Sequence, residues 1–365
     1  MEINDDIIYR NCKEYIDCMN KKYADYKEVP YGLDITKKTD VIGICYSTWF
    51  TKILSQPGYS KPVIPDILAG KRDFDGEGAF HYWSEPALGF YKSDDKDVIR
   101  THMTQIYELG VDYIIIDNTN AGLYWHETAR GTDWDMFITR PCTAILDTIT
   151  EMRSEGKKTP YVVFWTNVND RERWGVAEET YEQFLSQEKW KDCFVYMEGK
   201  PFMLVTNMIP GRPKYDMTIR KQWGLNQRRE PCEWSFLNVI NNPTLDCDGF
   251  SEQMCVCTAT QQTFMSLTDT AKGRDGGKFL NIQWQNAFKY RPKVLTLTWW
   301  NEWAAQLFYD ENRNPLFVDN YTPEYSRDIE PMKGGHGDLY YRWTKQYIEA
   351  YRNHKKCPVL IEEKK

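Results

Sequence analysis

The chain has 365 residues, 41% of them hydrophobic, and a net charge of -7, so a sizeable core can form and no basic block offers itself to nucleic acid. No apolar run approaches the roughly 20 residues of a membrane-spanning helix, which excludes a membrane span of that kind. The opening "MEINDDIIYRNCKEY" lacks the basic and apolar segments of a secretory leader; the expected location is cytoplasmic, or secreted or cell-surface if a leader has been removed.

In chain order, residues 1–40 read as a helical or irregular extension, and the first clear strand is "VIGICYSTWF", Val41 to Phe50. After a long connection, "DKDVIRTHMTQIYELG" has a helical apolar period, with Gly110 where a C-terminal stop belongs. "VDYIIIDNT" is a continuous apolar run of the kind found in strands buried on both faces. Pro141 opens the next helix, which ends at Gly156, and "PYVVFWTN" is the strand that follows. "AEETYEQFLSQEKW" reads as a helix and "CFVYMEGKPFMLVTN" as a hairpin feeding a strand at Phe202–Val205. "EPCEWSF" and "EQMCVCTAT" are weaker strands. A helix then carries Phe279, Ile282 and Ala287 on one side, "KVLTLTWW" is the last strand, and "DLYYRWTKQYIEAYRNHK" is the closing helix. This alternation predicts an α/β fold of one domain, a (β/α)8 TIM barrel over residues 41–356 with long strand-to-helix loops and a tail at 357–365. Seven strands are legible; the eighth is not. No glycine-rich phosphate fingerprint follows an early strand.

Ten cysteines without CxxC pairs and five scattered histidines predict reduced thiols, no metal site and no cofactor. Cys255 and Cys257 of "CVC" are expected on opposite strand faces. Aromatic residues make up 15% of the chain, which suits a groove for the apolar faces of sugars. In such a barrel the chemistry sits at the C-terminal strand ends. Those positions hold Trp49; Asp117, Asn118 and Asn120; Trp165, Asn167 and Asp170; Asn207; Glu233 and Trp234; Gln261 and Gln262; and Trp300, Asn301, Glu302 and Trp303. Amides and carboxylates there satisfy sugar hydroxyls, which both donate and accept. Two loops add candidates: His81, Tyr82, Trp83 and Glu85 in one, and Asp319, Tyr321, Glu324, Arg327, Asp328 and Glu330 in the other. The second is expected either to bind substrate or to be tied by an Arg327–carboxylate ion pair. A carboxylate ending an apolar strand is costly to bury alone, so Glu302 either faces a cavity where its charge is used or is paired with a base.

With "WWNEWAAQ" and "HYWSEPALGFY" on the page, the sequence resembles the glycoside hydrolase family 71/99-like group over roughly Val41 to Tyr341, and among its members the bacterial ones. That group includes endo-α-mannosidases and α-1,3-glucanases, and the resemblance implies a (β/α)8 barrel acting on an oligosaccharide or glycoconjugate. In family 99 the strand carries a pattern like Asn-Glu-Trp-His-Glu. Its first glutamate helps the substrate's own 2-hydroxyl attack the anomeric carbon, and its second is the acid/base. Asn301, Glu302 and Trp303 match the opening of that pattern, but Ala304 and Ala305 follow, so the second carboxyl is missing. Glycosidic cleavage ordinarily uses two carboxyls. The acid is therefore expected from Glu85, then Asp117, with Glu330, Glu324 and Glu233 behind. The expected function is hydrolysis of an α-linked glycan. The alternatives are a carbohydrate-binding barrel without catalysis, or a transglycosylase or glycan-assembly enzyme.

Overall fold

The computed structural model describes residues 16–50, 64–71, 77–78, 80–122, 134–223, 232–237, 242–261, 271–318 and 321–362. Its centre is a set of parallel strands whose order in space follows their order in the chain. β1 (Leu33–Asp34) is a short outlier, followed by β2 (Val41–Tyr46), β3 (Phe80–Tyr82), β4 (Tyr113–Asn118) and β5 (Tyr161–Thr166). β6 (Val195–Met197), β7 (Lys200–Val205), β8 (Thr218–Gln222), β9 (Glu233–Trp234) and β10 (Thr244–Leu245) come next. β11 (Ser251–Cys257), β12 (Val294–Thr298), β13 (Ala304–Tyr309) and β14 (Pro315–Phe317) are the last, and β3, β13 and β14 form a separate small sheet. Parallel ladders join β11 to β12, β12 to β2, β2 to β4, β4 to β5, β5 to β7, β7 to β8 and β8 to β9. This is the strand order of an eight-stranded barrel. Among the described residues no ladder joins β9 to β11. Side chains span that seam instead: Gln253 accepts from the Ser235 backbone at 2.7 Å and donates to the Ser235 carbonyl at 3.0 Å, and Trp234 donates to Glu252 at 2.9 Å.

Alternation along each strand builds two cores. Cys45, Tyr113, Ile115, Val163, Trp165, Leu204, Cys255, Cys257 and Val294 fill the interior. Ile42, Ile44, Ile114, Ile116, Phe164, Val205, Val256 and Leu297 pack outward against helices, each worth roughly 2 kcal/mol when fully buried. Gly43 is required by this arrangement, because a Cβ there would meet the Tyr113 ring at 2.4 Å. Cys255 and Cys257 point the same way, with Sγ atoms 3.9 Å apart; a two-residue period leaves no other outcome, and the expectation of opposite faces was wrong.

Helices α1 (Lys96–Leu109), α2 (Arg140–Ser154), α3 (Gly175–Thr180), α4 (Lys278–Tyr290) and α5 (Leu339–Arg352) form the outer layer. Asp95 caps α1 by accepting from the Asp97 and Val98 amides, and Gly110 closes it in the left-handed region at φ 94. On α4 the buried face is Leu280, Trp284, Ala287 and Phe288; of the expected face Ala287 is buried and Phe279 partly so, while Ile282 is 54% exposed. The missed eighth strand is β8. Its inward residues are Thr218, Arg220 and Gln222, and Arg220 forms a charge-assisted pair with the buried Glu252 at 2.8 Å, so no apolar run marks it. The stretch after β12, expected as a loop, instead forms the β13–β14 hairpin, and β13 pairs antiparallel with β3.

Candidate active site

The site grows from the end of β12. Once the strand leaves the ladder, its backbone is held from both sides. The Trp300 amide donates to the Cys45 carbonyl at 2.9 Å, and the Asn301 side chain accepts from the Ser47 amide at 2.8 Å. On the other side the segment Arg327–Glu330 lies along the tip like a further strand. Trp299 donates to the Arg327 carbonyl at 2.8 Å, and Ile329 and Glu330 donate back to Trp299 and Trp300 at 3.0 Å each. This clamp fixes where Glu302 points.

Glu302 is 2% exposed, and its Oε2 accepts from Arg327 at 3.0 Å (Nε) and 2.5 Å (Nη2). The guanidinium sits 5.6 Å from the ring centres of both Phe236 and Trp299, and Trp165 packs on Phe236 at 4.8 Å. The ion pair is thus covered by Trp165, Phe236 and Trp299, which exclude water and strengthen its electrostatics. A buried guanidinium on the carboxylate favours its charged form. The Glu302 amide donates to Asp328 Oδ1. Burial pushes the Asp328 carboxyl up to about 7, helped by the Glu330 charge and opposed by the Glu302 amide, Arg274 and Arg327. Among the described residues none donates a hydrogen bond to Asp328 Oδ2.

The expected site residues divide clearly. Asp117 is inward on β4, accepts from the Thr119 amide at 2.8 Å, and acts with Glu302 on one neighbour: burial and then Asp117 push the Cys45 thiol up, Arg327 opposes, and Glu302 adds to the rise. Asn301, Trp165 and Glu302 belong to the same interior tip. Asn167, half-buried after β5, reaches the Ala121 carbonyl at 3.5 Å and accepts from Thr206. Trp83 donates its indole N–H to the Glu302 carbonyl at 2.8 Å and packs on Trp303, so it braces the backbone from behind. Trp49 packs on Phe80, Tyr82 stacks on Phe50, and Tyr321 packs on Phe317. His81 is buried on β3 opposite Ala305, the position at which the resemblance expects a carboxyl.

Several expectations are corrected. Glu85 lies toward the surface in an ion pair with Lys333, its side chain 29% exposed, and the structure does not bring it into contact with Glu302. Asn118 turns outward by strand alternation, beside the Cys142 thiol, and Trp300, two residues past the end of β12, packs outward against His102 and Tyr341; Trp299 is the inward indole. Trp234 is bonded to Glu252 at the start of β11, which places it deep in the opposite half of the interior. Glu330 is fully engaged by His102 at 2.9 Å, Tyr91 at 2.8 Å and Trp303 at 2.5 Å, a buried network that braces the tip. Asp319 lies outside the described residues. Sequence reading missed Trp299 and Phe236 as site residues, and it named Arg327 and Asp328 in the second loop without joining either to Glu302. The available signal was "EYSRDIEP", a basic residue between acids in a segment long enough to reach back to the strand tip.

No protein-family profile and no curated protein matches the chain in sequence. Solved structures do match. The GH99 endo-alpha-mannosidase from Bacteroides thetaiotaomicron superposes with a TM-score of 0.53 at 13% identity, covering 87% of this chain and 99% of that one. The same enzyme in complex with BIS-TRIS-propane gives 0.53 at 14% identity, covering 86% and 98%. The fold is similar to that of a GH99 endo-α-mannosidase. Shared across nearly the whole of that enzyme, the GH99-like fold agrees with the resemblance carried by "WWNEWAAQ". Among the described residues no group of three His, Cys, Asp or Glu is arranged to hold a metal, and no helix is long and apolar enough to cross a membrane.

Proposed function

We propose that the protein is a glycoside hydrolase of the family 71/99-like kind that cleaves an α-linked glycan at the C-terminal end of the parallel strands. The observation that carries this is Glu302, a buried carboxylate paired with Arg327 beneath Trp165, Phe236 and Trp299. A carboxylate kept charged in a water-poor site suits the base or nucleophile-assisting role and not the acid role. The acid then needs a carboxyl that keeps its proton near neutrality. Asp328, raised to about 7 and with Oδ2 uncommitted, meets that requirement in place of Glu85. Asp117 stands across β2 from Glu302. At about 4.8 Å per strand its backbone is on the order of 10 Å away, a separation that leaves room for a sugar or a water. Its role is to hold substrate hydroxyls or that water.

A second reading keeps its own observation. Ala305 removes the acid of the resembling pattern, and the Glu302–Arg327 pair also suits a carbohydrate-binding barrel without turnover.

The test is a panel of α- and β-linked oligosaccharides and glycoproteins with wild type, Glu302→Gln, Asp117→Asn and Asp328→Asn, the released sugars followed by mass spectrometry. Cleavage by wild type that is lost in Glu302→Gln is the expected result. Asp328→Asn is expected to lose about 100-fold or more on natural linkages while sparing activated aryl glycosides, whose leaving groups need no proton. Equal losses on both substrates would make Asp328 a positioning residue. Glycan binding without cleavage by any form would favour the binding barrel.

A further inference from the structure

The seam between β9 and β11 carries a second chemistry, at the end of the strands opposite Glu302. Cys232 immediately precedes β9, and Cys247 lies in the turn between β10 and β11. Their Sγ atoms are 3.3 Å apart, and the Cys232 amide donates to the Leu245 carbonyl at 2.9 Å, so the two backbones already run together. Cys247 is exposed and Cys232 half-buried, and both line a cavity of about 110 Å³ that Cys18 and Met19 of the N-terminal helical segment also border. We propose that Cys232 and Cys247 are a reversible disulfide site that staples the seam where the strand ladder is open. A disulfide needs the sulfurs at roughly 2.05 Å, a closure of about 1.3 Å, small for two residues on turns. Such a bond closes a loop of 15 residues and restricts the unfolded chain accordingly.

The order of attack follows from accessibility. Cys247, exposed, attacks one sulfur of a low-molecular-weight disulfide as its thiolate, forming a mixed disulfide and releasing one small thiolate. Cys232 then loses its proton and attacks Cys247 Sγ, expelling the second small thiolate. The two protons from the protein thiols end on the two released small thiols, and the small disulfide is the species reduced. Burial, the Cys247 contact and the Glu252 charge push the Cys232 thiol up to about 12, against Arg220, which makes its attack the slower step.

The experiment equilibrates the full chain with oxidised glutathione, followed by alkylation, non-reducing peptide mapping and thermal unfolding. It uses wild type, Cys247→Ser, Cys232→Ser and Cys18→Ser. The expected result is a dithiothreitol-sensitive peptide pair containing Cys232 and Cys247 in wild type and Cys18→Ser, with the unfolding midpoint raised by a few degrees and no rise in the other two variants. Glutathione remaining on Cys247, a Cys18–Cys247 link in place of the expected one, full alkylation of both thiols, or a link with no rise in midpoint would each overturn it. None of these readouts depends on glycan cleavage, so the staple stands or falls apart from the proposed activity.

Discussion

At the residue scale, Glu302 and Arg327 were each visible in the sequence, 25 positions apart, but nothing there joined them. Both are almost wholly buried, so neither charge is tolerable without the other. Arg327→Met is expected to destabilise the fold by about 3–5 kcal/mol in urea unfolding, because it strands a buried carboxylate. Adding Glu302→Gln to it should recover a large part of that loss, and a double variant no more stable than Arg327→Met would show the pair is not coupled. Asp328 gives a pH signature. Its folded-state carboxyl, raised to about 7, keeps a proton that the unfolded chain releases near its ordinary value of 3.8. Stability from this group is therefore full below about pH 4 and is lost as pH rises through about 7. Urea midpoints measured from pH 4 to 8 should fall more steeply for wild type than for Asp328→Asn; parallel profiles would show that Asp328 does not titrate in this window.

Elements with an uninterrupted apolar pattern were legible, and those whose inward positions are polar were not. β4, β5 and β12 read directly from runs such as "YIII" and "VLTLT" because both their faces are buried. β8 escaped because its interior positions serve the Arg220–Glu252 pair, and β9 read only as a weak strand because just two of its residues ladder. The β13–β14 hairpin was hidden in a stretch whose pairing with β3, more than 200 residues earlier in the chain, no local pattern announces. At the seam, Gln253 makes bonds to the Ser235 amide, hydroxyl and carbonyl and to Thr296. Gln253→Leu should cost on the order of 3 kcal/mol by orphaning those groups and should speed hydrogen exchange in β9 and β11 above that in β4 and β5. Uniform exchange would mean the seam is no weaker than the rest of the sheet.

For the whole molecule, the two cores follow from one rule. Each parallel strand sends alternate residues inward to the shared interior and outward to the helices. The N-terminal segment and the tail are bound to this body. Lys293 donates to the Thr36 carbonyl at 2.7 Å, and Glu362 donates to the Gly276 carbonyl at 2.8 Å. The sequence by itself determined the class of fold, the order of most strands and helices, and Glu302 as the residue to ask about, because period, caps and apolar runs are local properties of the chain. Only the tertiary structure decided which indole faces inward, Trp299 and not Trp300, that Glu85 is a surface charge, and that Arg327 and Asp328 complete the surroundings of Glu302. Those facts depend on which distant segments share a low-dielectric interior, where a charge must find its partner whatever its distance along the chain.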